Sequence, residues 1–166
     1  MLPHLFTSLT VLAIAGTFLM YVPSLLLHFD TQFGAALLPL LPYSGVLMFV
    51  TGLGLSFSGT YYLMRRGDSP LLLTTPPRRL VVAGPYSHLQ HPILLGVQVM
   101  LFGEALWLCS PSVGLYAVVW TVLSHYYVAY VEEPRLVQRF GVDYRAYRHA
   151  VPRWLPQLTA SNTGEP

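Results

Sequence analysis

The sequence predicts an all-α membrane protein with about four transmembrane helices and a short C-terminal helix at the cytoplasmic interface. Of its 166 residues, 54% are hydrophobic and only 10% are charged, whereas soluble domains are about a quarter charged. All nine basic residues are arginines, and they fall into two groups. This composition excludes a disordered chain, a disulfide-rich secreted domain, an ordinary soluble enzyme and a nucleic-acid-binding domain with a basic face.

Four apolar stretches give the predicted spans. They are Leu5–Leu27, Tyr43–Met64, Ile93–Leu108 and Val113–Val131. About 20 apolar helical residues cross a hydrocarbon core of roughly 30 Å. A signal peptide is the alternative for the first stretch, but no basic residue precedes it. The second stretch is rich in glycine and serine, which is typical of closely packed membrane helices. Ser110-Pro111-Ser112 predicts a tight turn that makes spans three and four a hairpin.

The arginines predict the orientation. Four lie between spans two and three, five follow span four, and none lies elsewhere. The positive-inside rule then places both groups and both termini in the cytoplasm, in an inner or endomembrane. We expect a single membrane domain over 1–166, with two spans in 1–64, a functional core in 80–156 and a frayed tail in 157–166.

The first cytoplasmic segment contains a turn and a helix entrance. Gly84-Pro85 is typical of a turn, and Pro92 suits the first turn of span three. His91 therefore stands at a helix N-terminus, where free N–H groups and the helix dipole favour an anionic ligand. The alternative is an interfacial histidine whose hydrogen bonds are satisfied within the protein.

The second cytoplasmic segment begins with two adjacent acids, Glu132 and Glu133, where span four leaves the membrane. Adjacent carboxylates there require a nearby cation. The alternative is a basic interfacial helix whose arginines neutralise both acids and bind anionic lipid. We expect Pro134 to begin a helical turn that Gly141 ends, and Asp143 to cap a helix over Tyr144–Ala150.

Other candidates are fewer. His88, His91 and His125 lack the cysteine or carboxylate that would complete a metal site, so we predict no metal. Glu104 is an acid inside span three, which makes it a functional candidate. The alternative is that Glu104 lies close enough to the outer end to reach the interface.

Both cytoplasmic segments resemble one family. The matching residues are Gly84-Pro85-Tyr86, His91-Pro92, Gly96, Glu132-Glu133, Phe140-Gly141, Tyr144, Tyr147 and Val151-Pro152-Arg153. They resemble the isoprenylcysteine carboxyl methyltransferases, integral-membrane enzymes related to the phospholipid N-methyltransferases. The resemblance covers roughly 80–156, about half of the chain.

The resemblance implies a cytoplasmic pocket for S-adenosylmethionine. The residues it implies for cofactor contact are Leu80, Val81, Tyr86, His91, Pro92, Ile93, Leu94 and Glu133. The cationic sulfonium and ammonium of this cofactor suit the acidic pair, and its carboxylate suits the helix entrance at His91. We expect Glu132, Arg148 and Arg153 to face the methyl acceptor. No general base is assigned, because a carboxylate or thiolate acceptor needs none.

The sequence departs from the family at the acceptor side. The family usually has arginine where this chain has Gln90 and tyrosine where it has Leu94, and no basic residue lies in Tyr127–Val131. Because an amide cannot replace an arginine fork, we expect a lipophilic acceptor that carries a thiol, an amine or a lipid headgroup at least as readily as a carboxylate. Arg148 and Arg153 could supply the missing cation. The leucine-rich second and third spans predict a lateral apolar entrance.

Two alternatives belong to other classes. One is a membrane reductase of the steroid-reductase type, which shares a His-Pro element but uses NADPH. The other is a non-catalytic membrane protein that binds lipid or a partner helix. Binding of S-adenosylmethionine rather than NADPH distinguishes the methyltransferase from both.

The topology can be tested with reporter fusions. Fusions within Ser110–Ser112 and at the C-terminus are expected to report opposite sides of the membrane, because span four lies between them and only the C-terminal side carries arginines. Two reporters on the same side would contradict the four-span arrangement.

Overall fold

The computed structural model describes residues 19, 21–30, 40–67 and 79–157, and its main elements there are all helical. In chain order they are α1 (Val22–Leu26), a 3-10 turn (Leu27–Phe29), α2 (Leu41–Arg66), a 3-10 turn (Gly84–Ser87), α3 (Pro92–Trp107), α4 (Pro111–Tyr127), a π turn (Val128–Glu132) and α5 (Glu133–Ala150). The predicted all-α class is therefore confirmed.

One helix in the described part of the chain is long and apolar enough to cross a membrane, namely Pro42–Arg66 with 25 residues. This agrees with the second predicted span. The apolar helix α3 is shorter, at 16 residues, or about 24 Å. Most of the first predicted span, Leu5–Leu27, lies outside the described residues. The count of four spans therefore stays a prediction.

Glycines bring α2 and α3 into backbone contact. Gly45, Gly52 and Gly59 recur at every seventh position of α2, opposite the part of α3 that carries Gly96 and Gly103. A Cβ atom on Gly52 would lie 2.5 Å from the carbonyl oxygen of Gly96, and one on Gly103 would lie 2.7 Å from that of Gly45. Only glycine permits so close an approach, which in lipid gains van der Waals contact between helices.

A polar cluster holds the turn between α3 and α4. Cys109 has a positive φ of 49°, and the Ser110 hydroxyl caps α4 by accepting the N–H of Val113 at 3.1 Å. Asp30 accepts hydrogen bonds from the Ser110 hydroxyl and from the hydroxyl and N–H of Ser112. These bonds lower the pKa of Asp30. They also tie the chain after α1 to the α3–α4 turn.

The sequence led us to expect a new helical turn that begins at Pro134. The structure shows no such restart after the acidic pair. α4 continues through the π turn into α5, and the N–H of Glu133 bonds to the carbonyl oxygen of Val128, five residues earlier. The wider turn has a physical reason, since Pro134 has no N–H and its ring would collide with a carbonyl in a regular helix. α5 is interrupted at Gly141, whose φ of 58° and ψ of −119° suit glycine.

A glycine substitution tests the α2–α3 contact. Gly52→Ala is expected to destabilise the protein by about 1–3 kcal/mol, because the new methyl group meets backbone atoms that cannot move aside. Thermal unfolding in detergent measures the effect. Gly54→Ala is the matched control, since a Cβ atom there meets nothing within 4 Å. Equal stabilities of the two variants would contradict the glycine contact.

Candidate functional site

The C-terminal part of α5 packs on the segment that precedes α3. Tyr144, Tyr147 and Val151 form a buried apolar cluster, and Leu80 and Val82 pack against it. The remaining partly buried members are Leu136, Val137, Phe140 and Ala150. Because residues 80–82 and 144–151 lie far apart in the chain, this cluster joins the segment before α3 to the end of α5.

Tyrosine hydroxyl groups are buried in the same contact. The Tyr147 hydroxyl donates to the carbonyl oxygen of Tyr86 at 2.8 Å. Burial raises the pKa of Tyr147, and burial together with the nearby Glu132 charge raises the pKa of Tyr86. Both hydroxyls therefore remain neutral hydrogen-bonding groups.

Gln90 fastens the loop before α3 to the end of α5. Its side chain is buried, and Nε2 donates to the carbonyl oxygens of Arg148, at 3.2 Å, and Val151. Its backbone N–H donates to the carbonyl oxygen of Pro152 at 3.1 Å. Gln90 therefore has a structural role, since its amide nitrogen is used within the protein. It stands at the position where the resemblance led us to look for an arginine.

Hydrogen bonds extend this contact beyond the predicted end of the ordered core. The backbone N–H of Gln157 donates to the carbonyl oxygen of His88 at 3.1 Å, and its side-chain amide donates to that of Ser87 at 3.1 Å. The His88 Nδ1 atom contacts the Gln157 carbonyl oxygen at 2.9 Å. Gln157, which the sequence placed in the frayed tail, is therefore held; 158–166 lie outside the described residues.

Glu133 forms the central ion pair of the site. Its side chain is only 3% exposed, yet Arg148 approaches Oε2 at 3.2 Å, and Arg153 approaches Oε1 at 2.6 Å through Nε and Oε2 at 2.9 Å through a terminal nitrogen. Two guanidinium groups thus compensate one buried carboxylate. This agrees, for Glu133 alone, with the alternative in which arginines neutralise the acidic pair.

Glu132 has a different environment from its neighbour. Its side chain is 35% exposed, and Oε1 lies 3.6 Å from Nδ1 of His91. No arginine is paired with it among the described ion pairs. Successive residues of a helix point about 100° apart, so the two neighbouring side chains meet different surroundings. Glu133 is thus paired within the protein, whereas Glu132 remains partly exposed at the edge of the site.

A ring cluster forms one wall beside His91. The Trp154 ring lies 5.9 Å from the His91 ring and 6.2 Å from the His125 ring, centroid to centroid. The indole N–H of Trp154 donates to Nδ1 of His125 at 3.1 Å. The sequence did not identify Trp154 or its link to His125, although a tryptophan beside the matched Val151-Pro152-Arg153 motif was a possible signal.

The structure separates the residues predicted to contact a cofactor. Tyr86 and His91 lie on the side of Glu132, and Val81 is buried. Pro92 and Ile93 instead approach Gly59 of α2. Leu80 packs on the tyrosine cluster, and Leu94 is partly exposed. These placements bring together the polar members of the predicted set and give several apolar members packing roles.

Glu104 is buried within the protein, and whether it lies at the level of the membrane interface stays a prediction. It is 6% exposed, and its Oε2 atom has no hydrogen-bond partner in the described part of the chain. The α3–α4 turn encloses it because α4 runs back alongside α3. Glu104 lies at the opposite end of α3 from His91, and so outside the candidate site.

Comparison with known families gives one finding. A family model described as phospholipid methyltransferase matches residues 41–143. The matched range runs from α2 into α5 and contains Tyr86, His91 and both acids, whereas Arg148, Arg153 and Trp154 follow it. No curated protein and no solved structure gives a significant match to the chain.

The Glu133 ion pairs can be tested through stability. Glu133→Gln is expected to lower the free energy of unfolding by about 2 kcal/mol, because a neutral amide cannot replace charge-assisted bonds to two guanidinium groups. Denaturant unfolding in detergent measures the loss. Asp143→Asn, an exposed acid on the same helix, is the control and is expected to change stability by less than about 0.5 kcal/mol. Indistinguishable variants would contradict a structural role for Glu133.

Proposed function

The chain belongs to the phospholipid methyltransferase family, whose model covers residues 41–143, and from this premise we propose that it transfers a methyl group from S-adenosylmethionine to a lipophilic acceptor. The family is one of methyltransferases, and its description implies a lipid substrate and a membrane. We place the reaction at the cytoplasmic end of the helices, between the segment before α3 and the C-terminal part of α5. The sequence resemblance was to the isoprenylcysteine carboxyl methyltransferases, whereas the family match favours a lipid headgroup as the methyl acceptor.

The observation that carries the proposal is the unequal use of the two acids. Glu133 is compensated by two arginines, whereas Glu132 keeps a partly exposed carboxylate that no arginine of the described ranges pairs with. A carboxylate at the edge of a half-buried site is well suited to a sulfonium or ammonium group. We therefore assign the cationic part of the cofactor to Glu132 and give Glu133 a structural role.

Aromatic and apolar groups complete the cofactor side. Trp154 presents a ring face beside His91, and ring faces attract cations through their quadrupole. The carbon edges of Tyr86 and Val81 line the same loop and suit an adenine. These residue types fit S-adenosylmethionine, which combines a cation, an aromatic base and a carboxylate.

Arginines offer an anion site on the acceptor side. The Arg148 side chain is 47% exposed, and Arg153 is 31% exposed. Each guanidinium has five N–H donors, of which only a few point at Glu133. The remaining donors suit the phosphate of a lipid headgroup. The protein thereby places an anion near Arg148 and Arg153 and a cation near Glu132, the charge pattern of a zwitterionic headgroup or of the cofactor itself.

When bound, S-adenosylmethionine supplies an electrophilic methyl group whose C–S bond breaks toward sulfur as an acceptor lone pair attacks in line. The chain contributes orientation and exclusion of water. The tyrosine cluster and the hydrogen bonds of Gln90 hold the segment before α3 against the end of α5. The positive charge of the sulfonium would then be lost in a site poor in water.

Titration calorimetry on detergent-purified protein tests the assignment. S-adenosylmethionine and its demethylated product are expected to bind, and NADPH is not. Binding of NADPH alone would support the reductase, and binding of none of the three would leave a non-catalytic lipid- or partner-binding protein.

A matched pair of variants tests the role of Glu132. Glu132→Gln is expected to weaken S-adenosylmethionine binding about tenfold, equivalent to about 1.4 kcal/mol, because one charge-assisted contact in a partly exposed site is lost. Asp143→Asn removes a charge from the same segment and is expected to leave affinity unchanged. If both variants bind as the parent does, Glu132 is not the cation partner.

A further inference from the structure

His91 has one ring nitrogen that the fold leaves unused. The residue is only 6% exposed, yet its Nε2 atom has no hydrogen-bond partner within the described residues. Buried side-chain nitrogens are nearly always hydrogen-bonded, so an exception points to a group that is absent or to a chemical task. The residue stands at the N-terminus of α3, beside the proposed cofactor site.

The other ring nitrogen faces a carboxylate. Nδ1 of His91 lies 3.6 Å from Oε1 of Glu132, an ion-pair distance that is too long for a hydrogen bond. The negative charge of this carboxylate favours the neutral tautomer that has its proton on Nδ1 and its lone pair on Nε2. Oε2 of Glu132 is left for the cation of the cofactor.

The neighbouring ring cannot satisfy Nε2. Trp154 is the aromatic group beside His91, but its indole N–H is already committed to Nδ1 of His125 at 3.1 Å. Trp154 therefore offers His91 only its ring, which tolerates a neutral and a protonated imidazole.

We propose that Nε2 of His91 is the proton acceptor for an amine substrate, a proposal that rests on the proposed function. The N–H bond of the substrate ammonium breaks, and the proton forms an N–H bond on Nε2. The freed lone pair of the amine then forms the bond to the methyl carbon as the methyl–sulfur bond breaks, with its electron pair left on sulfur. The proton leaves Nε2 to water. A carboxylate or thiolate acceptor would need no such group, so an idle basic nitrogen favours an amine headgroup.

Two variants separate proton transfer from positioning. His91→Asn retains an amide that can donate toward Glu132 from the place of Nδ1 but has no basic atom in the place of Nε2. At saturating S-adenosylmethionine, with its affinity measured separately by calorimetry, we expect this variant to lower kcat for phosphatidylethanolamine in nanodiscs at least about 100-fold. His91→Ala is expected to regain part of its activity when free imidazole is added, which a purely structural loss would not do.

The outcomes distinguish the possible failures. His91→Asn with parental kcat, or His91→Ala without imidazole rescue, would overturn the assignment of the proton acceptor. Parent protein that binds S-adenosylmethionine but methylates a long-chain thiol and not phosphatidylethanolamine would overturn the amine acceptor and leave the methyltransferase standing. Parent protein that does not bind the cofactor would overturn the proposed function itself.

Discussion

One buried carboxylate, Glu133, determines how the end of α5 is arranged against the rest of this protein. A charge in so dry a position is tolerated only with compensating partners, and the chain supplies Arg148 and Arg153 from 15 and 20 residues further on. The paired arginines bring the end of α5 and the residues after it back toward the helix that they follow. Trp154 is next to Arg153, so the same ion pair places the aromatic wall beside His91.

The two adjacent acids lie where a π turn meets α5. Because the turn lies directly before Glu133, the helix widens where the acidic pair occurs. Glu133 is directed to the arginines and Glu132 to His91. A strained or widened helical turn at such a place is typical of functional sites. Pro134 provides the local reason for the turn, and the asymmetry of the two acids provides the partly exposed charge on which the proposed chemistry depends.

Sequence reasoning identified what local patterns encode. The length of an apolar stretch predicted α2, and Pro92 predicted that a helix begins just after His91. The acidic pair was singled out because two adjacent carboxylates at a membrane edge are energetically costly. The partners were not predictable in the same way. Gln90 bonds to carbonyl groups 58 and 61 residues away, and Glu132 and Glu133 look identical in sequence because adjacency does not reveal the direction of each side chain. Those facts depend on tertiary packing, which no local period records.

The helix packing also limits where a lipophilic acceptor can approach. A lateral entrance between the second and third predicted spans was expected from their leucines, but the glycines of α2 lie against the backbone of α3, which leaves no room for an acyl chain at those contacts. The exposed surface nearest to Glu132 belongs instead to the end of α4 and the π turn, where the rings of Tyr126 and Tyr130 are exposed and stacked at 6.0 Å. Tyrosines at such a level suit the headgroup region of a bilayer. Under the proposed function, a lipid lying against this surface would present its headgroup to Glu132 and His91 while its chains stay in the membrane, and the polar cofactor would approach from water.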